Sequence, residues 1–241
     1  MNKKLSQGVV VGALALFLTL MVGYALFSQN LTIAGTAKAE GKFEITPTCT
    51  LGVPSDLEKL VLDYQGISVL DENGYGTDPK NNYCTVTGNT VTYATELKWY
   101  GARRYVIVKI ENTGTIDATI PPYVGNTTNK YCVDGYDFAT RTHGEQNGTF
   151  EESECDDQDS DMIRKGVLAF QDAKGNLLDE NNEEIMNHLD ENQENFILKL
   201  GEAIYKLYES ILDNKAEGLN QTNFNIRYNF SETYTANQYV K

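Results

Sequence analysis

Residues able to do chemistry are sparse in this chain, and their spacing argues against the common catalytic arrangements. The two histidines are His143 and His188. Neither stands in a His-Glu-x-x-His stretch, which sets two imidazoles on one helix face for zinc and adds a carboxylate as base. His143 lies among polar residues and His188 among acidic ones, so both read as solvent-exposed. No Gly-x-Ser-x-Gly elbow, phosphate-binding glycine loop or dinucleotide fingerprint occurs, and the chain is expected not to be an enzyme. The densest acidic stretch is EESECDDQDSD, residues 151–161. Within it Asp157, Asp159 and Asp161 alternate, a spacing that could gather oxygen ligands for calcium. The calcium-loop pattern then fails, because Met162 stands where its glycine belongs and Leu168 where its bidentate glutamate belongs. A solvated, self-repelling loop is the favoured reading over a calcium site, and no other cofactor is expected.

The four cysteines, Cys49, Cys84, Cys132 and Cys155, form no Cys-x-x-Cys pair, which leaves a zinc ribbon or thioredoxin-type site unsupported. An even count fits two disulfides made in an oxidising exterior. Three pairings are open. Cys49 with Cys84 and Cys132 with Cys155 is favoured because sequence neighbours close the shorter loops.

Export is written into the first thirty residues. Lys3 and Lys4 precede residues 9–27, a run without charge in which Thr19 and Tyr24 are the only polar-tipped members. That is long for a signal-peptide core and just long enough to cross a bilayer. Residues 1–29 therefore read as a signal peptide or a hydrophobic membrane-anchor helix, with cleavage expected between Ala25 and Asn30. Residues 30–241 are then the exported part, with the N-terminus cytoplasmic if the run is retained. A net charge of −14 makes a phosphate backbone an unfavourable partner, so no nucleic acid is expected.

The elements that must position these residues are mostly strands. Fifteen tyrosines against one tryptophan, with abundant Thr and Asn, favour extended half-exposed segments. Strand patterns separated by turn residues fall at 31–37, 43–46, 60–64, 67–70, 85–86, 90–95, 104–111, 115–120, 167–170, 176–178 and 223–230. In the clearest, Val106, Val108 and Ile110 share one face and Tyr105, Ile107 and Lys109 the other. Asp172-Ala173-Lys174-Gly175 reads as a hairpin turn. Residues 195–214 fit both a helix and a strand. Strand is favoured by an internal echo: Leu97-Lys98-Trp99-Tyr100-Gly101 before Tyr105 and Ile107 parallels Leu198-Lys199-Leu200-Gly201 before Tyr205 and Leu207. Many short strands imply an all-β sandwich or barrel-like domain. Residues 123–161 read as an acidic loop insertion with few aliphatics, held by a disulfide.

Two stretches carry a family resemblance. Tyr24-Ala25-Leu26-Phe27-Ser28 leads to Leu31-Thr32-Ile33-Ala34-Gly35-Thr36-Ala37, and residues 97–120 read LKWYGARRYVIVKIENTGTIDATI. Together they resemble the TasA/camelysin family of exported Gram-positive surface and biofilm-matrix proteins. Tyr100-Gly101 stands where the family usually has Pro-Gly, the 223–230 strand fits its closing strand, and the acidic segment lies outside the likeness. The resemblance implies a jelly-roll-like antiparallel β-sandwich and processing by a dedicated signal peptidase. It also implies extracellular fibre assembly, in which the freed strand of Leu31, Thr32, Ile33, Ala34, Gly35, Thr36 and Ala37 completes a sheet of another subunit. The expected protein is thus a non-enzymatic, cell-surface structural subunit or accessory, self-associating or joining related matrix proteins. The competing expectation is a binding or adhesion module anchored in the bilayer through residues 9–27, with calcium at the acidic segment.

Overall fold

The computed structural model describes residues 41–70, 72, 74–99, 101–122, 127–156, 163–178, 186–212 and 225–239. The apolar run 9–27 and the expected assembly strand 31–37 lie outside the described residues. Among the described residues no helix is long and apolar enough to cross a membrane.

In chain order the elements begin with β1 (Ile45–Leu51), α1 (Glu58–Gln65), β2 (Tyr83–Thr87), β3 (Thr90–Leu97), β4 (Arg103–Asn112) and β5 (Ala118–Ile120). β6 (Thr127–Val133), β7 (Tyr136–Asp137), β8 (Thr142–His143), a 3-10 turn at Glu152–Glu154 and β9 (Cys155–Asp156) follow. Then come β10 (Ile163–Gln171), β11 (Leu177–Leu178), β12 (Phe196–Leu198), β13 (Ala203–Ile211), β14 (Ile226–Thr233) and β15 (Asn237–Gln238). Among the described residues the strand pairings are antiparallel. The first sheet runs β1-β4-β13-β10-β11 and the second β2-β3-β14-β6-β9, with β12-β5-β15 as a small third sheet.

Alternation places the core. Val106, Val108 and Ile110 of β4 and Ile204 and Tyr208 of β13 meet Val91 and Tyr93 of β3 and Phe230 of β14 in one apolar cluster. Ala118, Ile120, Phe196 and Leu198 from the small sheet join it. The opposite face of the first sheet is also covered: Tyr105, Ile107, Leu168, Tyr205 and Leu207 pack under Leu57 and Val61. Burying each such side chain stabilises the fold by about 1.5–3 kcal/mol before chain entropy is charged against it.

Three sequence expectations change here. Residues 60–64, expected as a strand, form α1, because Leu57, Leu60 and Val61 at helical spacing cover the outer face of the first sheet. Gly66, at φ 66°, ends the helix in the left-handed conformation, and its N–H donates to the Asp63 and Leu62 carbonyls. Residues 67–70 form no strand, with a bend at 68–69. Segment 123–161 is more than a loop: β6 pairs along nearly all of β14, from Ile226 opposite Val133 to Glu232 opposite Thr127. The ambiguous 195–214 region forms the strands β12 and β13.

Both disulfides follow the favoured pairing. Cys49–Cys84 ties β1, the outer strand of the first sheet, to β2, the outer strand of the second. Cys132–Cys155 joins directly opposed residues of β6 and β9.

Candidate functional site: an open sheet edge with a buried charge pair behind it

The two sides of the first sheet are finished differently. On the β1 side the Cys49–Cys84 bridge holds the outermost strands of the two layers together. On the other side β11 is two residues long and pairs only with Phe170 and Gln171 of β10. Residues 163–169 therefore pair with β13 alone, and among the described residues their second edge has no strand beside it. A register shift between Val167 and Ala169 bends the strand there. An edge with no strand paired to it can template another strand. Arg164 and Lys165, both exposed, stand on it as charges of the kind that discourage indiscriminate pairing.

Hollows flank the same stretch on both faces. Toward the inter-layer core a cavity of 80 Å³ lies between Lys165, Gly166 and Val167 on one side and Pro122, Phe196, Lys206 and Tyr208 on the other. Under α1 a second hollow of 150 Å³ is bounded by Tyr64, Gln65, Arg164 and Leu207.

Behind the first hollow sits a charged group that composition and motifs did not reveal. Alternation along β13 turns Lys206 inward with Ile204 and Tyr208, and alternation along β14 turns Glu232 inward with Tyr228 and Phe230. Lys206 Nζ is 3.6 Å from Glu232 Oε1 and donates to the Pro122 carbonyl at 3.3 Å. The side chains are 6 % and 1 % exposed. Tyr234 donates to Glu232 Oε2 at 2.9 Å, Tyr208 donates to the same oxygen, and the two hydroxyls are 2.7 Å apart. Burial pushes the Lys206 ammonium below its ordinary value, with Lys165 adding to the effect and Glu232 opposing it. Burial also holds both tyrosine hydroxyls protonated far above their ordinary range. The strict alternation of β14 was the signal that could have placed Glu232 in the core.

The histidines part company. His143 is exposed on β8, its ring centroid 4.9 Å from that of Tyr136. His188, expected at the surface, is buried: its ring stacks on Phe170 with centroids 3.9 Å apart, and Nε2 lies 3.6 Å from Glu202 Oε2. The Phe170 face drew it in despite its acidic sequence neighbours.

Acidic residues in the described part of 151–161 are engaged locally. Glu154 accepts from the Gly135 and Glu151 amides, and Glu152 pairs with Lys130 at 2.7 Å. Asp157, Asp159 and Asp161 lie outside the described residues. Among the described residues no group of three or more His, Cys, Asp or Glu side chains is placed to hold a metal ion. Comparison of the chain with protein-family models, with curated proteins and with solved structures found no match.

Proposed function

We propose that this chain is an exported, non-enzymatic structural protein, a jelly-roll-like β-sandwich that serves as a subunit or accessory of a cell-surface or biofilm-matrix fibre. Residues 31–37 of one copy add as a strand to the open edge of β10, residues 163–169, in the next. The observation that supports this reading is that, among the described residues, no strand is paired along the second edge of 163–169, because strand addition needs such an edge. The strand pattern at 31–37 is seven residues long, and so is the stretch 163–169, beside which no strand is paired among the described residues. The charge-free run at 9–27 supplies export, and its removal frees the strand to leave its own bilayer.

Electron microscopy of the mature full-length protein tests the reading. Filaments are expected from the parent chain and none from a chain deleted in 31–37 whose circular dichroism still reports folded β-structure. A synthetic peptide of residues 30–38, added in excess, is expected to shorten the filaments by occupying the edge. Filaments unaffected by both treatments would remove the proposal. A mature chain that still begins at Met1 favours the tethered binding module instead.

A further inference from the structure

The inward-facing Lys206, Glu232, Tyr208 and Tyr234 form a set whose geometry exceeds what a charge pair requires. Two opposite charges inside a core lose hydration that their attraction seldom repays in full. Here the carboxylate is also divided: Oε2 receives both tyrosine hydroxyls, while Oε1 faces the amine. The remaining polar contact of Nζ is the Pro122 carbonyl. Each atom thus already has the partner it would need as part of an amide.

We propose that Lys206 and Glu232 are the site of an intramolecular isopeptide bond that joins β13 of the first sheet to β14 of the second. The ammonium first passes a proton to Oε1, giving a neutral amine and a neutral acid. Nζ then attacks Cδ, and the electron pair of the Cδ–Oε2 bond moves onto Oε2, where the Tyr208 and Tyr234 hydroxyls donate to the developing charge. Collapse restores the carbonyl at Oε2 and breaks the Cδ–Oε1 bond. Oε1 leaves as water, carrying the first proton and a second from Nζ. One N–H remains on Nζ and keeps the Pro122 carbonyl as its acceptor. No oxidant or other reactant is consumed, and the 80 Å³ cavity lined by Lys206 gives the water a place to go. Holding the two groups in contact supplies the effective concentration that an amine and an acid lack in free solution. Water exclusion keeps the reverse hydrolysis slow.

The placement has a mechanical consequence. The Cys49–Cys84 bridge links the two layers at the β1 side, and this bond links them at the centre of the first sheet, through β13. Force pulling the layers apart would then load covalent bonds at two points.

Peptide mapping of the native full-length protein, with its disulfides reduced, decides the matter without a variant. Trypsin is expected to skip Lys206 and to yield residues 200–215 joined to residues 228–241, lighter by one water than the two peptides together. Fragmentation of that species should place the link between Lys206 and Glu232. Cleavage after Lys206 with an unlinked 228–241 peptide overturns the proposal and leaves a simple ion pair. A Lys206→Arg chain keeps the charge and loses the linked species. Water loss that persists in that chain assigns the loss to another site and overturns the proposal equally.

Discussion

Asn112 is 1 % exposed, and its side chain closes the turn that follows β4. Nδ2 donates to the Ile116 and Leu198 carbonyls, each at 2.9 Å, and Oδ1 accepts from the Gly114 amide at 3.0 Å. Gly114 itself lies so close to the Lys42 carbonyl and Glu44 amide that a Cβ would collide with backbone. The Asn-Thr-Gly stretch is therefore a structural joint between β4, β12 and the segment that enters β1. Asn112→Ala strands one buried and one half-buried carbonyl and is expected to cost about 2 kcal/mol, read as a lower urea midpoint at unchanged slope. A shift too small to measure would mean that water replaces the amide. The spacing of Asn112 and Gly114 was visible in the sequence, but their acceptors were not, because Leu198 lies 86 residues away. His188 makes the same point in reverse: its acidic neighbours suggested solvent, and Phe170 overruled them.

The β10–β11 hairpin shows how an element carries its own pH dependence. The Asp172 carboxyl is held below its ordinary value of 3.8, first by the Asn176 side chain, then by the Asn176 and Lys174 amides. Oδ2 accepts from Asn176 Nδ2 at 2.9 Å, and Oδ1 accepts from the two amides at 2.8 and 2.9 Å. Only the ionised carboxyl offers acceptors in all these directions. Its folded value lies below its unfolded one, so its contribution is complete above pH 3.8 and is lost as pH falls through the lower folded value. A carboxyl-carbon NMR titration should find its midpoint below 3.8, and a midpoint at or above that value would show the turn bonds to be absent. This turn was legible because Asp, Lys, Gly and Asn at fixed offsets act locally. β13 was ambiguous for the opposite reason: every residue from Ala203 to Ile211 is buried, so a strand covered on both faces shows no alternation. α1 was misjudged because eight residues span two turns, and short apolar runs fit either period.

For the whole molecule, Cys49–Cys84 is the closure that matters most. It joins residues 35 apart and sets the outer strands of two different sheets against each other. Replacing both cysteines with serine is expected to lower unfolding free energy by about 2–4 kcal/mol, measured by denaturant titration against the oxidised parent. Equal stability of the two would mean that packing between β1 and β2 suffices. Among the described residues no disulfide ties the 163–169 side of the first sheet to the second sheet, and no strand pairs beside that stretch.

What the sequence determined by itself is what local chemistry controls. Alternation encodes the strands β4 and β14, glycine and aspartate encode the turns, and four cysteines without a Cys-x-x-Cys pair encode two bridges. Only the tertiary structure decided which strand edges are left over and which charges meet in the core. Edge exposure depends on the order of strands within a sheet, and Lys206 reaches Glu232 only because β13 and β14 lie in facing layers. Residues remote in sequence become neighbours when burial of apolar surface stacks the sheets, and no local pattern records that pairing.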